Sequence, residues 1–111
     1  MLSDRVIGRP RDIIDDADRI GIFIDGMSAS EFIADERAIF AIERLLQRIT
    51  EAAIQITATG AEIEGLPIAQ MRALGNRLRH EYGEIDRKQI FDLARIDVPQ
   101  VRVAAELALE G

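Results

Sequence analysis

Apolar residues recur every three to four positions along most of the chain, which is the spacing that gives a helix one buried face. In the first such segment the apolar positions are Ile13, Ile14, Ala17, Ile20 and Ile24. The other face is filled by Asp12, Asp15, Asp16, Asp18 and Arg19, and we expect it to be solvated. The segment ends at Gly26, the residue type favoured after a helix C-terminus. The sequence allows two starts for this helix. Pro10 suits a first helical turn, which would place the start near Arg9. Alternatively, the helix begins near Ser3 and kinks at Pro10.

A long second helix is the clearest prediction of the middle of the chain. It is expected at about residues 35–57, after a short helical turn at 31–34 for which Ser28 and Ser30 are capping candidates. Its apolar positions are Ile39, Ile42, Leu45, Leu46, Ile49, Ala52, Ala53 and Ile56. Its polar side is formed by Arg37, Glu43, Arg44, Gln47, Arg48 and Glu51.

Three more helical segments complete the pattern, at about residues 67–83, at 87–96 after the capping candidate Asp86, and from Asp97 and Pro99 onward. No alternating run indicates a strand, and no repeat or linker divides the chain. The sequence therefore predicts one domain, residues 1–111, folded as an all-α antiparallel bundle of four to five helices.

Composition excludes several classes of protein. The chain has 111 residues, 48% of them hydrophobic, which is enough for one core and too apolar for a disordered chain. It has no cysteine and one histidine, so we expect neither disulfides nor a zinc site, and we predict no metal and no cofactor. No signal peptide and no membrane span is evident, which predicts a cytoplasmic protein.

The net charge of −6 argues against a protein that coats nucleic acid, because phosphate neutralisation dominates such binding. The charge is uneven, however. Residues 1–66 hold 7 Arg and 13 acidic residues, whereas residues 67–111 hold 7 basic and 7 acidic residues. A local cationic site on an acidic body could hold a few phosphates.

The candidate chemistry lies around His80, the only histidine, and Tyr82, the only tyrosine. On a helix, Arg72, Asn76 and Arg79 share one face, and His80 lies one step beyond Asn76. Histidine is a frequent general acid or base, and arginine binds phosphate bidentately. This combination is typical of metal-independent RNA cleavage. The alternative is structural: a histidine at the end of a helix often only compensates the helix dipole.

The segment resembles the signature of the HepT-like toxins of the HEPN superfamily: an Arg, four to six residues, His, any residue and Tyr, usually with Asn directly after the Arg. Asn76, His80 and Tyr82 match it in position. Further similar blocks are Ser30-Glu31-Phe32, Asp35-Glu36-Arg37, Glu51-Ala52-Ala53, Ile85-Asp86, Ile90-Phe91 and Asp97-Val98-Pro99. The resemblance covers nearly the whole chain.

One position departs from the signature, because Gly75 stands where the family has its Arg. We expect Gly75 on the helix surface beside Arg72 and Arg79, one of which reaches over to substitute. The alternative is that Gly75 serves close packing between helices.

The resemblance also implies partners and a function. Such proteins are homodimeric ribonuclease toxins acting on RNA, here expected to be tRNA, and are paired with a minimal nucleotidyltransferase antitoxin. In some systems the antitoxin attaches AMP to the motif tyrosine, which is Tyr82 here. A second reading, favoured by Gly75, is a catalytically silent dimer that only binds the nucleotidyltransferase.

Overall fold

The regular structure of the chain is entirely helical where it is described. The computed structural model describes residues 4–81 and 83–110, with side chains from residue 9 onward. The helices are α1 (Asp4–Ile24), α2 (Ala29–Ile33), α3 (Glu36–Ala58), α4 (Ile68–His80), α5 (Arg87–Asp92) and α6 (Val98–Glu110). The predicted all-α bundle is confirmed. Within the described ranges, none of these helices is long and apolar enough to cross a membrane.

Helices α1 and α3 form the centre of the bundle. α1 packs against α3 and α6, and α4 packs against the other side of α3. Fully buried isoleucines of both central helices fill the core between them. Phe32 of α2 meets Phe91 of α5 with ring centroids 5.2 Å apart, which closes the bundle at one end. α3 therefore contacts both α1 and α4, the helix that carries the candidate site.

Helix α1 has the longer of the two predicted extents, because it begins at Asp4 and contains Pro10. Its acidic face is not wholly solvated, and that expectation was wrong for Asp16. This side chain is 1% exposed; it accepts a hydrogen bond from Arg19 at 2.6 Å and forms an ion pair with Arg48 of α3 at 3.0 Å. A buried carboxylate is tolerated when it is paired in this way. Asp16 thus joins α1 to α3.

Helix α2 begins at one of its two predicted caps, and α3 begins next to its predicted start. Ser28 accepts from the backbone of Glu31, whose carboxylate accepts from the backbone of Ser28, so the two form a capping box. Asp35 caps α3 by accepting from the N–H of Ala38 at 3.1 Å. Ser30, the other candidate, lies inside α2.

The last two predicted helices are joined rather than separate. α5 continues through a π-helical segment, Leu93–Asp97, into α6 without a break. The N–H of Val98 bonds to the carbonyl of Leu93, one residue further back than in an α-helix. Proline clashes with the preceding turn of a regular helix and lacks an N–H. A wide turn just before Pro99 is a way to continue the helix past it.

Candidate functional site

Helix α4 is shorter than predicted, since it ends at His80 rather than near Gly83. The chain leaves the helix at Glu81, and Gly83 adopts a positive φ of 78° in the turn that follows. The last turn of α4 carries Arg77, Arg79 and His80, where cations interact favourably with the helix dipole. Tyr82 lies outside the described residues, so its expected role as AMP acceptor stays a prediction.

Three predicted site residues line a single cleft between α3 and α4. Arg72, Asn76 and Arg79 form its α4 wall, and the cleft has a volume of about 250 Å³. The α3 wall is formed by Glu51, Ile54 and Gln55. Two guanidinium groups and an amide on one wall are groups that bind phosphate oxygens.

Arg79 is held in place by Asn76. Its Nη2 donates to Asn76 Oδ1 at 2.5 Å, across one turn of α4. The amide group of Asn76 keeps its two N–H donors for other partners. This bond fixes the guanidinium at the cleft. It also means that the Asn76 carbonyl contacts Arg79 rather than His80.

Gly75 is buried against α3, so the expectation that it lies on the helix surface was wrong. A Cβ at this position would lie 2.9 Å from Thr50 Oγ1 and 3.4 Å from Thr50 Cβ. The nearest arginine atom is Nη1 of Arg79, 3.8 Å from the same point. Gly75 therefore permits close helix–helix packing, and the Arg79 guanidinium lies beside it.

His80 is exposed at the end of α4 and does not line the cleft. Among the described residues it makes no hydrogen bond or ion pair. Its imidazole is thus accessible to a ligand that extends beyond the cleft. The neighbouring Arg77 does not line the cleft and pairs with Glu81 at 3.0 Å.

Glu43 is a residue that the sequence pattern misplaced on the polar side of α3. It is 3% exposed, and neither carboxylate oxygen has a hydrogen-bond partner among the described residues. Burial raises the pKa of this carboxyl above its ordinary value, and the Gly83 backbone and the Arg87 guanidinium partly oppose that shift. Glu43 thus lies beneath the turn that follows His80.

The described residues contain no group of three or more His, Cys, Asp or Glu side chains arranged to hold a metal ion. The chemical groups of the site are therefore those of α4 itself, together with the polar α3 wall of the cleft.

Comparison with known proteins shows the family of the chain. The chain matches the family described as Ribonuclease HepT-like over residues 13–108, a span that contains the cleft and His80. It is also 26% identical, over 92 residues, to a Methanocaldococcus jannaschii protein named "Putative RNase MJ1216". That alignment covers 82% of this chain and 76% of the relative. No solved structure matches the chain. With a family match that spans most of its length, the chain belongs to the HepT-like ribonuclease family.

Proposed function

We propose that this protein is an endoribonuclease that cleaves RNA without a metal ion, with His80 as its general acid or base. The observation that carries the proposal is the cleft in which Arg72, Asn76 and Arg79 meet, at the end of α4 where His80 is exposed. A phosphate held by the arginines would have an accessible imidazole nearby. The family and the name of the M. jannaschii relative support RNA as the substrate.

Each residue has a defined task in this reaction. The ribose 2′-oxygen attacks the adjacent phosphorus and the bond to the 5′-oxygen of the next nucleotide breaks, which leaves a cyclic phosphate and a 5′-hydroxyl. His80 takes the proton from the 2′-hydroxyl or gives one to the leaving oxygen. Arg79 neutralises the charge that develops on the phosphoryl oxygens, and Arg72 holds the phosphate. Asn76 fixes the Arg79 guanidinium.

We propose that Arg79 replaces the arginine that the family signature has at position 75. Its Nη1 is 3.8 Å from the point where a side chain at position 75 would start. Arg72 lines the same cleft, but among the described residues no hydrogen bond or ion pair holds its guanidinium. The substitution of one arginine by another, one turn later on the helix, keeps the charge on the same side of α4.

For its biological role, we propose the one that its resemblance to the HepT-like toxins implies. The protein is a toxin that acts as a homodimer on tRNA and is neutralised by a nucleotidyltransferase antitoxin, which attaches AMP to Tyr82. An AMP group two residues from His80 would occupy the site and block RNA. The proposal is supported by the family match and the position of Tyr82 in the sequence.

A second candidate is the catalytically silent binding module. It is favoured by Gly75, because the packing against Thr50 leaves no room at this position for the arginine of the family signature. Such a protein would dimerise and bind the nucleotidyltransferase without cleaving RNA.

Incubation with total tRNA in EDTA separates these functions. We expect the wild type to cleave tRNA and His80→Ala to lose cleavage, with products that end in a cyclic phosphate. His80 is exposed, so its substitution leaves the fold intact. Gln70→Ala, at an exposed position on the same helix, is the matched control and should cleave like the wild type. Equal cleavage by the wild type and His80→Ala would refute the role of His80, and no cleavage by either would favour the silent module.

A further inference from the structure

The cleft contains a carboxylate that the proposed cleavage reaction does not use. Glu51 lines the cleft from α3, opposite Arg72 and Arg79. Among the described residues it forms no ion pair with either arginine. Its hydrogen bond is instead to a residue one turn earlier on α3, since Gln47 Nε2 donates to Glu51 Oε1 at 3.3 Å. Gln47 in turn accepts from Arg44 Nη1 at 3.5 Å.

A carboxylate is out of place in a cleft that only binds phosphate, since it repels the ligand. Glu51 also does not neutralise the arginines by contact, because its hydrogen bond is to Gln47. It keeps a free oxygen, Oε2, and spare acceptor capacity on Oε1. A ligand that presents N–H donors beside its phosphate would bind the arginines through the phosphate and the Glu51 carboxylate through the donors.

The other residues of the α3 wall indicate which chemical groups that ligand carries. Gln55 follows Glu51 by one helical turn, so both side chains face the cleft from the same side of α3. Its amide can donate as well as accept. Ile54 adds an apolar surface against which a flat ring can lie. Acceptor, donor and apolar surface together are the features that recognise a nucleobase by its edge.

Guanine is the base whose edge complements this wall. It presents two adjacent donors, N1–H and the N2 amino group, beside the acceptor O6. A carboxylate accepts from two parallel N–H groups, and an amide N–H one turn away donates to O6. Uracil places one donor between two acceptors, and adenine and cytosine each set one amino group beside an acceptor. These three bases would leave a carboxylate oxygen facing an acceptor.

We infer that Glu51 selects guanine in single-stranded RNA bound at the α3–α4 cleft, with Gln55 assisting and Arg72 and Arg79 holding the adjacent phosphate. This inference rests on the proposed function for RNA as the ligand. It adds a base preference to a site that would otherwise recognise only the backbone. Glu51 is here a specificity residue, and the reaction at His80 does not depend on it.

Binding of uncleavable RNA tests the inference without relying on catalysis. The probes are four 2′-O-methyl pentanucleotides, uridine throughout except for a central G, A, C or U, and affinity is measured by fluorescence anisotropy in EDTA. We expect the wild type to bind the G probe about tenfold more tightly than the others, the lower end of the discrimination given by a bidentate base contact. Glu51→Gln should lose that preference. Glu64→Gln, an exposed carboxylate outside the cleft, should keep it.

The remaining outcomes separate this inference from the proposed function. Arg79→Ala should weaken binding of all four probes and keep the preference for G. Equal binding of the four probes by the wild type would overturn the inference, as would a preference that survives Glu51→Gln. A uniform gain of affinity in Glu51→Gln would show that the carboxylate only repels phosphate, and would also overturn it. No binding of any probe would overturn the inference, and would overturn the ribonuclease too only if tRNA is also left uncleaved, whereas selective binding without tRNA cleavage would contradict only the ribonuclease.

Discussion

At the scale of single residues, the arginines of α4 differ in what holds them. Arg79 is bound to Asn76 inside the cleft, and Arg77 is bound to Glu81 outside it. Helical spacing predicted both directions, because residues three or four apart share a face. Spacing could not predict that Asn76 bonds to Arg79 and not to His80, because both residues lie within one helical turn of Asn76.

Asn76 and Arg79 should act as one unit in RNA cleavage. We expect Asn76→Ala to lower kcat/KM about tenfold, because the guanidinium loses the partner that positions it. In the double variant Asn76→Ala/Arg79→Ala the effects should not add, since the first substitution acts through the second residue. The measurement is a double-mutant cycle on tRNA cleavage. Additive losses would mean that Asn76 contacts the substrate independently of Arg79.

Glu43 shows how a residue pattern can mislead. It was assigned to the polar side of α3 because it is charged, yet it falls four residues after Ile39 and three before Leu46, both buried. Thr50 continues the same stripe and is also buried. The helical period alone would have placed both residues inside, and their polarity concealed this.

The raised pKa of Glu43 predicts a pH-dependent stability. The ordinary pKa of this carboxyl is 4.5, and burial raises it in the folded chain. Between these two values the folded chain binds more protons than the unfolded chain, so the free energy of unfolding falls as the pH rises. Glu43→Gln cannot ionise and avoids this loss. We expect it to be more stable than the wild type at about pH 8 and to converge with it near about pH 4.

Urea denaturation across this pH range is the measurement, with Glu64→Gln as the matched control at an exposed position. The difference between variant and wild type should grow with pH only for Glu43→Gln. A constant difference would indicate that burial does not raise the pKa of the Glu43 carboxyl.

At the scale of helices, the contact between α3 and α4 explains the missing motif arginine. Gly75 lies directly against Thr50, and a larger residue would push the helices apart. A β-branched, buried threonine cannot turn aside easily, because its Oγ1 already donates to the carbonyl of Gln47 at 2.8 Å. The cleft owes its shape to this close approach.

Gly75 and Thr50 should therefore be energetically coupled. Gly75→Ala gains about 1 kcal/mol of helix propensity but introduces an overpacked contact that costs about 1–3 kcal/mol. We expect a net loss of stability in the wild type and a net gain in a Thr50→Ala background, where the 2.9 Å contact is absent. Thermal or urea unfolding of the four variants measures the coupling. A stabilising Gly75→Ala in the wild type would contradict the close packing.

The order and most of the bounds of the helices could be predicted from periodicity and capping residues, as the cap Ser28 and the start of α3 near Asp35 show. The end of α4 and the continuous passage from α5 to α6 could not. Both depend on how backbone hydrogen bonds are arranged at a few residues, for which Gly83 and Pro99 are ambiguous signals. The α3 wall of the cleft also depends on which helices pack together, and that is a property of the folded bundle.

At the scale of the whole molecule, Asp16 of α1 forms an ion pair with Arg48 of α3 and so links the two central helices. We expect Asp16→Asn to lower the free energy of unfolding by about 1–3 kcal/mol, because a buried group loses charge-assisted hydrogen bonds. Asp12→Asn is the control: Asp12 is 53% exposed and 3.6 Å from Arg9, so its change should stay within about 0.5 kcal/mol. Equal effects in urea denaturation would show that burial of Asp16 adds nothing to the bundle.

The placement of α4 on this bundle joins the cleft to an accessible histidine, and the central claim is that Arg79 supplies the missing guanidinium. The most direct measurement is the rate of tRNA cleavage by Arg79→Ala beside Arg95→Ala, an exposed arginine outside the cleft. The account predicts a loss of about 10²-fold or more for Arg79→Ala, the scale for removing one group that stabilises transition-state charge. Arg95→Ala should cleave like the wild type. Equal rates for the two variants would contradict the account.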